Sequence, residues 1–317
     1  MVAKIFIDGE AGTTGLQIRE RLAGRRDLEV LSISADKRKD QDERKRLLNA
    51  ADVAILCLPD DAAKESVSLI DNGTTRVIDA STAYRVDPDW AYGFAEMDKG
   101  QSDIIANARF VANPGCWPQG LIANVRPLIA AGLLPADYAL SYNGISGYTG
   151  GGKQMIAEYE TAGADASHFM PYALTFQHKH VPEMTAYTGT SIAPLFVPTV
   201  GDFAQGMTTF VPLQLGQLAK VPTGQQLHAA IADHFAGIKD SFVTVAPYDA
   251  ALGKSLALDP QANNGTNAMT LHVFANDARA QAVLVAVYDN LGKGASGAAV
   301  QNLNLMLGVS ARESLAA

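Results

Sequence analysis

The sequence predicts an α/β protein: a doubly wound parallel sheet, followed by a second α+β domain on a mixed or antiparallel sheet. Three observations carry this prediction. Over the first 115 residues, short apolar runs alternate with helix-spaced stretches, the pattern of parallel strands joined by helical crossovers. A glycine-rich turn closes the first apolar run. Beyond Cys116 the strand-like runs lengthen and alternate apolar with polar residues, as in a sheet with one covered face. The 317 residues fit about two domains at roughly 150 residues each.

The elements follow in order. Residues 3–7, 28–34, 53–58 and 76–80 are strand candidates, and 13–23, 40–49 and 62–72 have helical spacing. After Cys116, residues 122–131 read as a helix. Strands are predicted over 139–143, 193–200, 206–215, 242–247, 269–276 and 281–288, with a clear helix over 222–235. A last helical run covers 297–307. The predicted domains are 1–115 and 116–296.

Lysine plus arginine number 25 against 33 aspartate plus glutamate, a net charge of −8. That balance excludes a general nucleic-acid or membrane-surface binder, which needs basic surface. Only two cysteines, Cys57 and Cys116, are present, so no disulfide framework is expected and a reducing compartment fits. No apolar run approaches the roughly 20 residues of a membrane span. Met1 to Ile7 lacks the basic start of a signal peptide. A cytoplasmic protein is the expectation.

Ile5-Phe-Ile-Asp-Gly9-Glu-Ala-Gly12-Thr13-Thr14-Gly15 sets three glycines at spacing three between a strand and a helix. Glycine allows the tight turn and a close backbone approach to a pyrophosphate, and the helix start offers free N–H groups to it. This makes the first domain a Rossmann-type dinucleotide-binding candidate, with Gly9, Gly12, Thr13, Thr14 and Gly15 as cofactor residues. Asp36, about 20 residues past the glycines, could take a ribose 2′-hydroxyl. Lys37, Arg38 and Lys39 follow it and could hold a 2′-phosphate, so Lys37 and Arg38 favour NADP.

Val111-Ala-Asn113-Pro-Gly-Cys116-Trp-Pro-Gln-Gly120 surrounds one thiol with two prolines and two glycines. A helix starting near Trp117 or Pro118 would favour the thiolate through its N-terminal field, making Cys116 a candidate nucleophile. Downstream, Phe176-Gln-His178-Lys179-His180-Val-Pro-Glu183 reads as extended, which puts His178 and His180 on one face as a base or acid for that thiol. No third ligand stands at useful spacing, so no metal is expected. In Val77-Ile-Asp-Ala-Ser81-Thr-Ala-Tyr-Arg85, polar groups and a guanidinium follow a strand end, where such sheets collect ligands. Arg85 could grip a phosphate or carboxylate.

Together these segments resemble the N-acetyl-gamma-glutamyl-phosphate reductase family in its shorter form, within the aspartate-semialdehyde dehydrogenase-like superfamily. The resemblance continues through Tyr92-Gly-Phe-Ala-Glu96, Ser146-Gly-Tyr-Thr-Gly-Gly-Gly-Lys153, Gly265-Thr-Asn267 and Asp289-Asn-Leu-Gly-Lys-Gly-Ala-Ser-Gly297. Trp117 and Gln119 depart from the longer form's Tyr and Thr. The resemblance implies reduction of N-acetyl-glutamyl 5-phosphate by NADPH through a Cys116 thioester, in arginine biosynthesis. His178 or His180 would be the acid–base group. It implies substrate contacts from Ser81, Arg85, Asn113, Lys153, Lys179 and Glu183, and cofactor contacts from Pro59, Asn290 and Gly292. A homo-oligomer, dimer or tetramer, is implied, with the 297–317 helix packing on the first domain. The alternatives are an aspartate-semialdehyde dehydrogenase and a non-catalytic NADP-binding regulatory module.

Overall fold

A computed structural model describes residues 2–249 and 258–317. In chain order the strands and helices begin with β1 (Ala3–Asp8), α1 (Thr13–Leu22), β2 (Leu28–Leu31), α2 (Gln41–Ala50), β3 (Val53–Leu56) and α3 (Asp60–Leu69). Then come β4 (Arg76–Asp79), β5 (Ala91–Tyr92), α4 (Gln101–Asn107), β6 (Phe110–Ala112), α5 (Cys116–Ala130), β7 (Ser141–Gly147), α6 (Gly152–Ala162) and β8 (Phe169–Pro171). The last are α7 (Val181–Thr188), β9 (Leu195–Gly201), β10 (Met207–Gln214), α8 (Gly224–Phe235), β11 (Val243–Val245), β12 (Met269–Asn276), β13 (Gln281–Tyr288) and α9 (Gly297–Met306). The residues group into two compact units, one of 1–95, 100–115 and 295–316, the other of 96–99, 116–294 and 317.

The first unit holds a parallel sheet in the order β2-β1-β3-β4-β6-β5. Central strands are buried on both faces, which is why they read as unbroken apolar runs. On one face Ile5, Ile7, Val53 and Ile55 pack with Ile18 and Leu22 of α1, Ile105 of α4, and Val300 and Leu303 of α9. On the other, Phe6, Ala54 and Leu56 pack with Leu47 and Leu48 of α2 and Ala63 of α3. Asp40 starts α2 by accepting the Glu43 N–H at 3.0 Å, a favourable helix cap. Strand order reverses between β2 and β3 around β1, so the crevice of this sheet lies at the carboxyl ends of those strands.

The second unit holds a mixed sheet in the order β11-β12-β13-β10-β7-β9-β8. Pairs β11–β12 and β7–β9 are parallel and the others antiparallel. Helix α5 is buried along nearly its whole length. A capping box at Thr223 and Gln226 starts α8.

Several elements differ from expectation. Helix α5 begins at Cys116 itself, six residues before the predicted start. Pro118 is tolerated there because first-turn N–H groups need no helical partner. Short elements β5, β6, β8, α4 and α7 have too few residues to show a period, whereas α6, at 11 residues, is missed because it opens in a run of glycines. The segment around His178 and His180 is not an extended strand. His180 has helical backbone angles and immediately precedes α7, with Pro182 and Glu183 in the first turn.

Candidate active site

In the first unit the glycine turn is shaped by contact. Gly9 has φ +87°, and a Cβ there would lie 2.3 Å from the Cys57 carbonyl oxygen. At Gly15 a Cβ would lie 2.6 Å from the Gly9 carbonyl oxygen, so α1 can press onto the turn only without a side chain. The turn closes with the Gly12 N–H donating to the Gly9 carbonyl at 2.9 Å. Thr13 and Thr14 then open α1, whose first N–H groups lack helical partners and carry partial positive charge.

Beside this turn is a cavity of about 440 Å³, lined by residues 8–11 together with Ile33, Arg38, Lys39, Arg44 and Leu58. Arg38 reaches Glu10 at 3.3 Å, and Arg19 also pairs with Glu10. Arg44 is buried and bonded to Asp8, Glu65 and Ser66. Lys37 does not line the cavity; Lys39 stands there with Arg38. The tight run of residues 35–37, a short 3-10 turn, decides which side chains reach the wall. The glycine cradle, the helix start and these two cations fit the phosphates of a dinucleotide. Pro59 is exposed at the residue before α3.

Three expected substrate residues of this unit make internal bonds. Ser81 donates to Asp79 through Oγ at 2.6 Å and N–H at 3.1 Å. Burial pushes the Asp79 carboxyl above its ordinary value, and the Ser81 bonds oppose that. Arg85 is buried and donates to the carbonyls of Asn113 at 3.0 Å and Ala80 at 3.1 Å, tying the loop after β4 to the one after β6. The Asn113 carboxamide donates to the Ala295 carbonyl at 3.0 Å and accepts from Asn302 at 3.1 Å.

In the second unit Cys116 is the first residue of α5 and is partly exposed. The Tyr142 hydroxyl donates to the Trp117 carbonyl at 2.6 Å, and that of Tyr288 to the Cys116 carbonyl. These tyrosines, from β7 and β13, fix the helix start from the sheet beneath. Cys57 has the same intermediate exposure, but desolvation, with the charges of Asp79 and Asp8, pushes its thiol up to about 12, which leaves it inert near neutrality.

An aromatic cluster links the helix start to the histidines. Trp117 Nε1 donates to the Tyr172 hydroxyl at 3.0 Å. The Trp117 and Phe196 rings lie 5.3 Å apart, those of His178 and Phe196 5.2 Å, and those of His178 and Tyr172 5.7 Å. The rings of His178 and His180 are 4.7 Å apart. The His180 N–H donates to His178 Nδ1 at 3.1 Å, which places the proton of a neutral His178 ring on Nε2. The structure thus gathers His178 and His180 without the strand alternation predicted for them. Glu183 is buried in α7, whereas Lys153 on α6 and Lys179 are exposed.

Asn290 is buried, accepting the Gly206 N–H at 2.8 Å and donating to Thr149 Oγ1 at 3.1 Å. Gly292 abuts the Thr266 carbonyl, 2.1 Å from where its Cβ would stand. Tyr142, Tyr288 and Phe196 escaped sequence reasoning, because each sits in a strand pattern where an inward aromatic reads as core.

Comparison with known proteins gives one answer in several forms. Residues 4–104 match the family model described as semialdehyde dehydrogenase, NAD binding domain. Residues 116–290 match the one described as semialdehyde dehydrogenase, dimerisation domain. An N-acetyl-gamma-glutamyl-phosphate reductase of Chelativorans sp. (strain BNC1) is 66% identical over 307 residues, covering 97% of this chain and 99% of the relative. That of Mesorhizobium japonicum is 66% identical over 98% of this chain and 100% of its own length. An N-acetyl-gamma-glutamyl-phosphate reductase 2 of Nostoc sp. is 55% identical over 96% and 97%. Among solved structures, aspartate semialdehyde dehydrogenase II of Vibrio cholerae aligns over 97% of this chain and 99% of its own, with TM-score 0.71 and 16% identity. The Candida albicans aspartate semialdehyde dehydrogenase, solved with NADP, aligns over 98% and 99% with TM-score 0.68 and 13% identity. The last two show likeness of fold.

Proposed function

The chain belongs to the N-acetyl-gamma-glutamyl-phosphate reductases, and from that premise we propose that it reduces N-acetyl-glutamyl 5-phosphate to N-acetylglutamate 5-semialdehyde, releasing phosphate. The observation that carries the reading is Cys116 at the first residue of α5, joined through Trp117 to the His178 cluster.

The positive end of α5 favours a thiolate at Cys116. The thiolate attacks the acyl carbon, phosphate leaves, and a thioester forms. A nicotinamide dinucleotide, which the Gly9–Gly15 turn would hold, would supply a hydride for this carbonyl. The His178–His180 pair gives a proton to the developing oxyanion of the thiohemiacetal and takes it back as the C–S bond breaks. Aldehyde and thiolate result. Free N–H groups at the start of α5 suit the oxyanion.

Gly9, Gly12, Thr13, Thr14 and Gly15 would hold the pyrophosphate, and Arg38 with Lys39 a 2′-phosphate, which makes NADP the cofactor of this reading. Lys153 and Lys179, both exposed in the second unit, are its candidate groups for the substrate's phosphate and carboxylate. The enzyme acts in the cytoplasm and as a homo-oligomer, and the dimerisation-domain match supports the second of these readings. Among the described residues no helix is long and apolar enough to cross a membrane.

The test is a product assay in both directions. N-acetyl-glutamyl phosphate should drive NADPH oxidation, and N-acetylglutamate semialdehyde plus phosphate should reduce NADP. Equal or better turnover of aspartate semialdehyde would replace this substrate assignment with the shorter one.

A further inference from the structure

The chemistry above leaves unused a deeply buried ion pair of the second unit. Lys293 Nζ lies 2.6 Å from Glu96 Oε2, and each side chain is 1% exposed. The other oxygen, Oε1, accepts the Phe242 N–H at 3.1 Å, and the Phe242 ring centroid lies 5.8 Å from Nζ. Removing two charges from water is costly, and their attraction commonly does no more than offset that cost. The best-attested use of such a pair is to fix a register.

Lys293 belongs to the segment Gly292–Ser296, a π turn of the kind that gathers at functional sites. Its Lys293 carbonyl accepts Gln119 Nε2 at 2.8 Å, and Gln119 stands one turn after Cys116 on α5. The Gly294 N–H donates to the Asp289 carbonyl at 2.9 Å. A Cβ on Gly294 would stand 2.9 Å from the Cβ of Cys116. The turn is therefore held by the ion pair on one side and by α5 on the other, with its glycine against the thiol-bearing carbon.

We propose that Lys293 and Glu96 are positioning residues for Cys116: their ion pair holds the π turn so that Gly294 seats the nucleophile. The proposal rests on Cys116 being the reactive thiol. Neither charged group is assigned a contact with substrate; both act through the turn.

The experiment compares wild type with the double variant E96Q/K293M, which removes both charges and roughly keeps the shape. K293M alone leaves a buried carboxylate without its ion-pair partner and should melt lower, and the second substitution should restore the melting temperature. In the folded double variant the rate of Cys116 alkylation by iodoacetamide should still fall about tenfold or more, since a small misplacement of a reacting group is costly. Its pH profile should shift, and kcat should fall with KM for the acyl phosphate little changed. An unchanged alkylation rate and pH profile in that folded variant overturns the proposal.

Should the double variant not fold, G294A carries the test, because its methyl group presses directly on Cys116. Slowed alkylation there supports the proposal, and unchanged alkylation overturns it. A wild-type enzyme whose Cys116 resists iodoacetamide defeats the nucleophile reading itself. A reactive wild type with unaltered variants defeats only the positioning role.

Discussion

The hydroxyl of Tyr288 donates to the backbone carbonyl of Cys116 at 2.7 Å. The last residue of β13 thus holds the residue that bears the thiol, 172 positions earlier in the chain. Burial raises the Tyr288 hydroxyl well above its ordinary value, which keeps its proton in place for this bond. Replacing Tyr288 with Phe should cost about 1 kcal/mol of stability, read as a lower denaturant midpoint, and should slow alkylation of Cys116.

The two cysteines should differ sharply in reactivity. Near neutral pH, iodoacetamide should label Cys116 and leave Cys57 intact, as peptide mass spectrometry would reveal, and substrate should protect Cys116. Cys116→Ser should abolish turnover while leaving NADPH binding, followed by nicotinamide fluorescence, unchanged. Turnover near wild type in that variant would end the covalent mechanism.

Cys57 also predicts a pH dependence. Its thiol is raised from an ordinary 9.0 to about 12 in the folded protein. The native state therefore keeps a proton that the unfolded chain releases, so this contribution to stability is complete below about pH 9 and is lost as pH climbs towards about 12. Urea midpoints taken across that window should fall less steeply for Cys57→Ala than for wild type.

Replacing both His178 and His180 with Gln should lower kcat about a hundredfold or more, with alkylation of Cys116 retained. Comparing the two single variants then assigns the proton transfer. A double variant with wild-type kcat would remove the imidazoles from the mechanism.

Arg38→Ala with Lys39→Ala should weaken NADPH about tenfold, the loss expected for charge-assisted bonds to a phosphate. NADH binding should change little. Lys37→Ala serves as the contrast and should leave both dinucleotides unaffected. A double variant that still prefers NADPH would place 2′-phosphate recognition elsewhere.

Much of this was legible in the chain because strong local signals agree with the fold. The four apolar runs become the parallel strands β1 to β4, the glycines at 9, 12 and 15 the tight turn after β1, and the thiol flanked by Pro114 and Pro118 a helix start. Other features needed three dimensions. His178 and His180 were read by strand alternation, yet Pro182 and Glu183 already carried a helix-start signal that wins locally. The choice of Lys39 over Lys37 at the cavity wall depends on one short turn. The pairing of Lys293 with Glu96 spans 197 residues, and no periodicity encodes it.

Helix α9 supplies Ala299, Val300, Leu303 and Met306 to the same core as Ile5 and Ile18, and Asn302 grips Asn113. During synthesis on the ribosome, the opening strands therefore emerge long before the helix that covers one face of their sheet. The nascent sheet must wait, with apolar surface uncovered, until residues 297–306 have been released. That delay makes it the stretch on which chaperones should act longest.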